Sequence, residues 1–303
     1  MAQGTLQKMA RQIQAYCPSV PYSLAQQWII DRYRSITETI LWSFKIGQGS
    51  LYTPAAYSTG TITMTNGSAV VTGSGTTFTS AMVGRQLLVG GFVFTIASYS
   101  GATSITVDTT WRRDTTAGAT YQILQAYITP AETDFLAYIS VIDPANGWRI
   151  RTGYNSQELD SIDARRSSTG TPCLLAGRAY NSSDIAMYEL WPYSTSANQY
   201  MYIYEKRIAD LSTPTATPPA IIRSDILVKG ALADLSRWPG TREEPNPFFD
   251  PYFNQFKVRD LEFREEVNKI MTADQNIYMT DLSYYTTLPY APMDSRFTQS
   301  HAF

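Results

Sequence analysis

The sequence predicts an α+β protein in which N- and C-terminal helices form a helical bundle around a β-rich middle. Three observations support this prediction. Apolar residues recur at helical steps near both ends, the composition changes at Gly60 to alternating Thr, Ser, Gly and Val, and a Pro/Thr-rich linker at 212–220 precedes the second helical region. A chain of 303 residues also buries most of its unfolded surface, so a substantial core is expected.

Residues 1–55 are predicted to form an N-terminal helical hairpin. A short helix at about residues 5–16 is followed by Pro18 and Pro21, and each proline lacks an amide donor and disfavours helix in the residue before it. Beyond them, apolar residues recur at three- and four-residue steps, which is typical of an amphipathic helix. These residues are Leu24, Trp28, Ile29, Tyr33, Ile36, Ile40 and Phe44.

Residues 56–127 are predicted to be an inserted small all-β domain, barrel-like or sandwich-like. The alternating run Thr61–Thr65 leads into Asn66 and Gly67. Asn-Gly between alternating runs is the strongest short-range hairpin signal. Further strand patterns follow between Gly-rich turns, at Gln86–Val89, Phe92–Ser98, Ser104–Val107 and Thr120–Leu124.

Residues 128–211 are predicted to be a second β-rich unit with more polar and more aromatic turns. One helical turn is expected within it at Gln157–Arg165, capped by the hydroxyl of Ser156. Its strand patterns are Phe135–Val141, Trp148–Arg151, Pro172–Ala179, Met187–Pro192 and Tyr200–Lys206.

Residues 212–275 are predicted to hold the C-terminal helices that complete the bundle. Helical spacing resumes at Ile222 and stops at Trp238-Pro239-Gly240, and a last helix follows at about Phe249–Gln275. Residues 276–303 show no period and carry tyrosines among Pro, Thr and Ser. Because disordered tails are usually poor in aromatic residues, this segment is predicted to be an extended aromatic arm laid on a neighbouring subunit.

The chain carries few groups suited to catalysis or metal binding. Its one histidine, His301, lies in a segment without predicted structure, so an imidazole-dependent triad or metal site is not expected. Cys17 and Cys173 fit no CxxC pattern, and we interpret them as buried free thiols. The Gly73-Ser74-Gly75 turn lacks the rest of a nucleotide-binding fingerprint. We therefore expect no enzyme activity, no catalytic residue, no cofactor and no metal ion.

Paired carboxylates are the catalytic alternative that the residues leave open, since glycosidases use two acids that face each other across a groove. The first acidic cluster surrounds the predicted helical turn, where its members can cap the turn or pair with Arg165 or Arg166, and the second falls in a Pro-rich turn. Solvated surface is therefore the favoured interpretation. The acids concerned are Glu158, Asp160, Asp163, Glu243 and Glu244.

The charge balance argues against a basic nucleic-acid binder, because the net charge is −2 and no dense cluster of Lys and Arg exists. Only 17% of the residues are charged, against 21 tyrosines and 6 tryptophans. Interface cores are poor in Lys, Asp and Glu and rich in aromatic residues, so this composition indicates an assembly subunit. The basic pairs Arg112–Arg113 and Arg165–Arg166 are too isolated to form a nucleic-acid groove, although a ring of subunits would multiply either pair into a ring of positive charge. Arg165 and Arg166 are the candidates to face DNA.

The sequence also predicts where the protein is found. Its apolar runs are far shorter than a membrane span, so no membrane association is expected. The first twelve residues, MAQGTLQKMARQ, lack an apolar signal core. We therefore expect the protein to remain in the cytoplasm where it is made.

Five segments, in order along the chain, resemble the helices and strands of tailed-bacteriophage head-to-tail adaptor proteins, also called connector or neck proteins. They are QAYCPSVPYSLAQQWIIDRYRSITETILWSF at 14–44, PAETDFLAYISV at 130–141, LDSIDARRSSTGTPCLLA at 159–176, YELWPYSTSANQYMYIYEKR at 188–207 and PPAIIRSDILVKGALADLSRWPG at 218–240. The block Gly60–Trp111 is similar to a β module inserted in many phage neck and tail proteins. The resemblance covers roughly residues 5–275 and carries no catalytic signature.

The resemblance implies a structural virion protein at the head-tail interface. Such proteins form a homo-oligomeric ring, typically a dodecamer, beneath the portal protein. The ring offers tail or nozzle proteins a docking surface while viral DNA passes through without sequence-specific contacts. Expected partner contacts lie in the C-terminal arm and in the loop of the inserted β domain, at Tyr278, Tyr284, Tyr285, Tyr290, Asn66 and Gly67.

A second class of function stays open at this stage. A phage tail or receptor-binding β-protein would use its tyrosines and tryptophans to stack on host glycans, and it would be trimeric or located at the tail tip. A third class, a lytic glycosidase, would depend on the carboxylates described above.

Overall fold

A computed structural model describes residues 3–39, 41–180 and 184–287 of the protein. The chain divides into two compact units. Unit 1 comprises Met1–Ile46 with Arg207–Phe303, and unit 2 comprises Gly47–Lys206. The described residues contain five α-helices, which are α1 (Leu6–Tyr16), α2 (Tyr22–Thr39), α3 (Ser156–Ile162), α4 (Ser224–Leu235) and α5 (Asn254–Thr287).

The strands all lie in unit 2. The one exception is the first residue of β1, Ile46, which belongs to unit 1. In chain order the strands are β1 (Ile46–Thr53), β2 (Thr61–Met64), β3 (Val70–Ser74), β4 (Gln86–Val89), β5 (Phe92–Gly101), β6 (Ser104–Val107), β7 (Thr116–Ala119), β8 (Tyr121–Leu124), β9 (Tyr127–Ile128), β10 (Phe135–Asp143), β11 (Trp148–Asn155), β12 (Leu174–Tyr180), β13 (Ala186–Trp191) and β14 (Asn198–Lys206). The first sheet has the order β1-β14-β10-β11-β12-β13-β9, and the second has the order β7-β2-β3-β6-β5-β4-β8.

Unit 1 is built from α1, α2, α4 and α5. The Thr5 side chain accepts a hydrogen bond from the amide of Lys8 and so caps the start of α1. The apolar stripes of α1, α2 and α4 then supply one core, to which α5 adds Phe263. A Cβ at Gly230 would lie 2.9 Å from the Phe263 ring, so the glycine in α4 allows α5 to pack closely there.

The edge strand β1 carries two glycines that accommodate aromatic rings. A Cβ at Gly47 would lie 2.5 Å from the Tyr204 ring, and one at Gly49 would lie 2.6 Å from the Tyr202 ring. The two tyrosines project from the neighbouring strand β14 and cover β1 at alternate positions. Together with Tyr200 they form much of the core of the first sheet.

The second sheet has its own core, and Gln86 links it to the first. The core is centred on Ile62, Leu87 and Ile105, which are fully buried. Gln86 is 1% exposed, and its Oε1 accepts hydrogen bonds from the amides of Ala126 and Tyr127 at 2.9 and 3.0 Å. This buried amide therefore joins β4 of the second sheet to the chain entering β9 of the first.

The predicted fold class is wrong. The protein is a β-rich fold with two curled sheets, a half-barrel and a near-barrel, and not a helical bundle around a β-rich middle with a small β insert. The physical reason is strand pairing over long sequence distances: β1 pairs with β14, and β9 pairs with β13. Helical periodicity near the chain ends carries no information about such pairing.

The predicted extended arm is part of the same error. Helix α5 continues through residues 276–287, where an aperiodic arm was expected, and ends at Thr287. Residues 288–303 lie outside the described residues. The helical turn in the second β region is present as α3, but its cap is Asn155 and not Ser156. The Asn155 side chain accepts from the Glu158 amide while the Glu158 carboxylate accepts from the Asn155 amide, which is a capping box.

Candidate interaction surfaces

A cluster of exposed apolar side chains lies where α5 begins. Scattered exposed apolar residues are normal on a protein surface, but five within residues 249–261 form a feature that is typical of contact sites. We call these five residues the α5 patch. They are Phe249 (37% exposed), Tyr252 (78%), Phe253 (43%), Val258 (58%) and Leu261 (59%).

The turn before α5 fixes the aromatic part of the patch. The Asp250 carboxylate accepts hydrogen bonds from the amides of Gln255 at 2.8 Å and Tyr252 at 2.9 Å. These backbone donors hold the pKa of Asp250 below its usual value. Phe253 adopts a φ of 57°, in the left-handed region that bulky residues rarely occupy. This left-handed residue stands directly before the first residue of α5, Asn254, and the side chains of the patch on either side of it are exposed.

Arg237 makes cation–π contacts with one residue of the patch and with a neighbouring phenylalanine of α5. The guanidinium of Arg237 lies 4.8 Å from the centroid of the Phe256 ring and 5.8 Å from that of Phe253. Such cation–π contacts at accessible sites contribute about 0.5–1 kcal/mol each. Deeper in unit 1, the guanidinium of Arg32 lies 5.0 Å from the centroid of the Phe263 ring.

An open groove lies between α1 and α4 on unit 1, with a volume of about 580 Å³. We call it the α1–α4 groove. Tyr16 is 58% exposed at its side, and Val228 is buried at its floor. Asp225 forms an ion pair with Arg223, and the Nζ of Lys229 lies 3.5 Å from Glu266. Both charged groove residues remain about half exposed. The lining residues are Gln12, Ala15, Tyr16, Asp225, Val228, Lys229 and Leu232.

The second sheet carries a smaller groove of about 410 Å³. Trp111 and Arg113 line it, and Phe92 lies beside them with its ring centroid 5.7 Å from that of Trp111. The Arg113 guanidinium lies 5.3 Å from the centroid of the exposed Phe92 ring. The rest of the lining includes Asp114, Thr116 and Thr120. An aromatic ring beside a guanidinium and two threonine hydroxyls offers a ligand both stacking and hydrogen bonding.

A buried ionic cluster centred on Glu189 was not predicted from the sequence. Its carboxylate is fully buried and accepts hydrogen bonds from Arg166 at 2.7 Å, Tyr193 at 2.8 Å and Arg178 at 3.1 Å. Burial raises the pKa of Tyr193, and the Glu189 charge raises it further. The Arg178 guanidinium also lies 4.0 Å from the centroid of the Tyr127 ring. The cluster therefore joins β12, through Arg178, and β13, through Glu189, to the segment after α3 that carries Arg166.

The two arginines expected to face DNA occupy different environments. Arg165 is exposed. Arg166 is buried, with a φ of 51°, and pairs with Glu189 and with Asp160 at 2.7 Å. Burial acts to lower the pKa of Arg166, but Glu189 and Asp160 outweigh it and the pKa is raised. Of this pair, only the Arg165 side chain is therefore in a position to meet an external phosphate.

The Asn66–Gly67 turn joins β2 to β3 and is exposed. Gly67 has a φ of 76°, as this tight turn requires. The turn is also tied to the chain after β6, because the Gly67 amide donates to the Trp111 carbonyl at 2.7 Å and the Asn66 amide donates to the Thr115 hydroxyl at 3.1 Å. These two hydrogen bonds hold the exposed turn against the chain that follows β6.

Three of the four tyrosines expected to contact partners lie in helix α5. The backbone positions of Tyr278, Tyr284 and Tyr285 belong to the helix, whose described side chains end at Asp274. Tyr290 lies outside the described residues, as does His301. Asp274 accepts hydrogen bonds from the Ser43 amide at 2.8 Å and from the Ser43 hydroxyl, which fixes α5 to the turn after α2.

The first acidic cluster is engaged in local structure. Asp160 pairs with Arg166, whereas Asp163 accepts from the amides of Ser168 and Ser167 and from the Trp191 indole at 3.2 Å. Burial acts to raise the pKa of Asp163, but these donors outweigh it and lower the pKa to about 2. Glu243 and Glu244 are exposed in the turn before α5.

The described residues contain neither a cluster of metal ligands nor a membrane-spanning helix. Among them, no three His, Cys, Asp or Glu side chains come together as metal ligands. No described helix has the length and apolar character needed to cross a membrane. Cys17 and Cys173 are free thiols, the first buried and the second half-buried, and burial raises the pKa of Cys173.

Comparison with known proteins adds no relative. No known family matches the chain, and no curated protein matches it.

Proposed function

We propose that the protein is a structural subunit of a tailed-bacteriophage virion: a head-to-tail adaptor that forms a ring under the portal, docks the tail or nozzle proteins and lines the DNA passage. The observation that carries the proposal is the α5 patch, in which five large apolar side chains are exposed. The low share of charged residues in the whole chain, 17%, is a second observation that suits an assembly subunit. Exposed apolar clusters of this kind mark protein contact sites. The order of segments that resembles the adaptors supports the same class.

The geometry of unit 1 suits such a role. The Arg32 guanidinium holds Asp234 of α4 and Asp260 of α5 from its position in α2. The surface that carries the patch is therefore braced by three helices, and a preformed contact surface loses little entropy on binding. Tyr278, Tyr284, Tyr285 and Tyr290 are proposed to add contacts to portal, tail or neighbouring subunits.

The test is imaging of the purified protein mixed with purified portal. The proposal expects a closed ring of added density beneath the portal, at or near twelve copies. A paired variant, Tyr252→Asp with Leu261→Asp, is expected to reduce ring occupancy at least tenfold, because charges would be buried at the contact. The matched control is Val70→Asp on β3, an exposed apolar residue of unit 2. Portal particles that carry no added ring after mixing with wild-type protein would refute the proposal.

A deletion of residues 276–303 tests the tyrosines separately. It retains Asp274 and its bonds to Ser43, which join α5 to the turn after α2. The shortened chain is expected to remain folded by circular dichroism and to give an unstable neck. Normal tail attachment by particles assembled with this chain would contradict the assignment of the four tyrosines.

A second candidate function is favoured by the groove of the second sheet. A phage tail or receptor-binding β-protein would use the exposed Phe92 ring, Arg113 and the surrounding threonines to bind host glycans. Calorimetry with soluble fragments of a host cell-wall glycan tests it. Phe92→Ala is expected to abolish binding, whereas Tyr99→Ala, a similarly exposed aromatic of the same strand, is the control. No heat of binding to the wild type would exclude this candidate.

A further inference from the structure

We infer that neighbouring copies of this chain join head to tail, with the α5 patch of one copy seated in the α1–α4 groove of the next. The inference rests on the proposed ring and assigns its subunit contact. Both surfaces belong to unit 1, whose helices pack on a common core.

The groove has the size and lining that the patch requires. An apolar cavity of about 150 Å³ accommodates one benzene-sized group. The volume of about 580 Å³ therefore has room for several large side chains. Its apolar lining comes from both helices, with Ala15 and Tyr16 on α1 and Val228 and Leu232 on α4. A groove between two helices is a common seat for the apolar face of a third.

The patch supplies a matching convex surface. Val258 and Leu261 lie one turn apart on α5, and both are more than half exposed. The same helix turns Phe263 inward onto Gly230, so the apolar residues of the patch point away from α4. The exposed Tyr252 precedes them and extends the apolar surface beyond the helix end.

The charges beside the two surfaces are complementary in order. In the groove, Asp225 precedes Lys229 by one turn of α4, and both remain about half exposed in their ion pairs. Beside the patch, Lys257 precedes Glu262 on α5, and both are exposed. Lys257 and Glu262 lie on opposite sides of the Val258–Leu261 face, so an α5 that runs parallel to α4 can bring either Lys257 to Asp225 or Glu262 to Lys229. Such pairs fix the register of a contact more than its strength.

The contact joins two different surfaces, which decides the type of assembly. An isologous contact would pair the patch with a second patch and stop at a dimer. A heterologous contact leaves one free patch and one free groove at the two ends of any open chain of copies, so it propagates and closes into a ring when the rotation fits. This is the symmetry that the proposed function needs.

Cysteine cross-linking tests the contact directly in the full-length protein. The background is Cys173→Ser, which removes the half-buried thiol while the buried Cys17 is retained. A chain that carries both Ala15→Cys and Leu261→Cys is expected to give a ladder of oxidised multimers. An equal mixture of the two single variants is expected to give a dimer and nothing larger, and neither single variant alone should cross-link.

Three controls make the outcome decisive. The pair Val83→Cys with Leu261→Cys, which replaces the groove position by an exposed residue of unit 2, is expected to cross-link at least tenfold less. Cross-linking of Leu261→Cys alone would show a patch-to-patch contact and overturn the inference. So would equal cross-linking by the Val83 control. Because assembly can require a template, each reaction is run with and without purified portal, and the absence of Ala15–Leu261 products in both also overturns it.

The same samples separate this inference from the proposed function. A ring on the portal without Ala15–Leu261 cross-links refutes the head-to-tail assignment and leaves the adaptor function standing. Cross-linked ladders in solution with no ring on the portal support the contact and refute the adaptor function. Circular dichroism of each variant confirms that unit 1 remains folded.

Discussion

The guanidinium of Arg32 and the carboxylate of Asp234 form a bidentate ion pair, with Nε to Oδ2 at 2.7 Å and Nη2 to Oδ1 at 2.8 Å. The third nitrogen, Nη1, donates to Asp260. Burial acts to lower the pKa of Arg32, but the two carboxylates outweigh it and the pKa is raised. One side chain of α2 therefore connects to α4 and α5, and it stabilises the surface that displays the α5 patch.

Replacing Arg32 by Met is expected to lower the free energy of unfolding by about 2–4 kcal/mol, because the mostly buried Asp234 loses its cationic partner and Asp260 keeps only Arg264. Urea unfolding followed by circular dichroism measures the change. Arg34→Met is the matched control: its ion pair with Asp210 is 45% and 42% exposed, so a much smaller loss is expected. Similar losses for the two variants would contradict the assigned role of Arg32.

Helical periodicity predicts the presence of the helices in unit 1 correctly, but it predicts the residues at which they begin and end less accurately. The stripe beginning at Leu24 corresponds to α2, and the stripe beginning at Ile222 corresponds to α4. The last helix was predicted to begin at Phe249 but begins at Asn254, because Phe253 adopts a left-handed backbone conformation that its residue type does not suggest. This difference matters for the site: Phe249, Tyr252 and Phe253 lie in an exposed turn rather than on a helix face.

The sheets could be predicted only as separate strands. Asn66 and Gly67 specify a local hairpin, and the structure has β2 and β3 on either side of that turn. The edge strand β1 escaped prediction, since its glycines weaken both the strand and helix signals. The space that a side chain at those glycines would need is filled mainly by Tyr202 and Tyr204, which are more than 150 residues away in the sequence, and at Gly49 also by Glu132. The Glu189 cluster is similarly invisible, because its members meet only after strand pairing.

Replacing Gly47 by Ala is expected to destabilise the protein by about 1–3 kcal/mol, since the added methyl would overlap the Tyr204 ring and strain a packed core. Thermal unfolding measures the loss. Ser50→Ala on the same strand is the control, because Ser50 is exposed and its change should fall within about 0.5 kcal/mol. An unchanged midpoint for the Gly47 variant would show that the tyrosine ring moves aside freely.

Replacing Asp163 by Asn is expected to destabilise the protein by about 1–2 kcal/mol at pH 7, because its bonds to Ser167, Ser168 and Trp191 weaken. The folded pKa of about 2 lies below the unfolded value of about 3.9. The stabilisation is therefore complete above pH 4 and is lost as the pH falls towards 2. Urea unfolding at pH 7, 4 and 2.5 should show the gap between variant and wild type closing, while Glu243→Gln shows no gap. A gap that widens on acidification would contradict the depressed pKa.

Arg165 and Arg166 can be separated by experiment, because only the second is part of the buried cluster. Arg166→Met is expected to cost about 2–4 kcal/mol, since Glu189 would lose one of its two cationic partners in a buried site. Arg165→Met should alter the free energy of unfolding by less than about 0.5 kcal/mol, because its side chain is exposed. If Arg165 faces a DNA passage, its variant should reduce DNA retention in assembled particles while folding normally. Unchanged packaging and retention by Arg165→Met would remove the remaining basis for a DNA-facing role, because the charge of Arg166 is already balanced by Glu189 and Asp160.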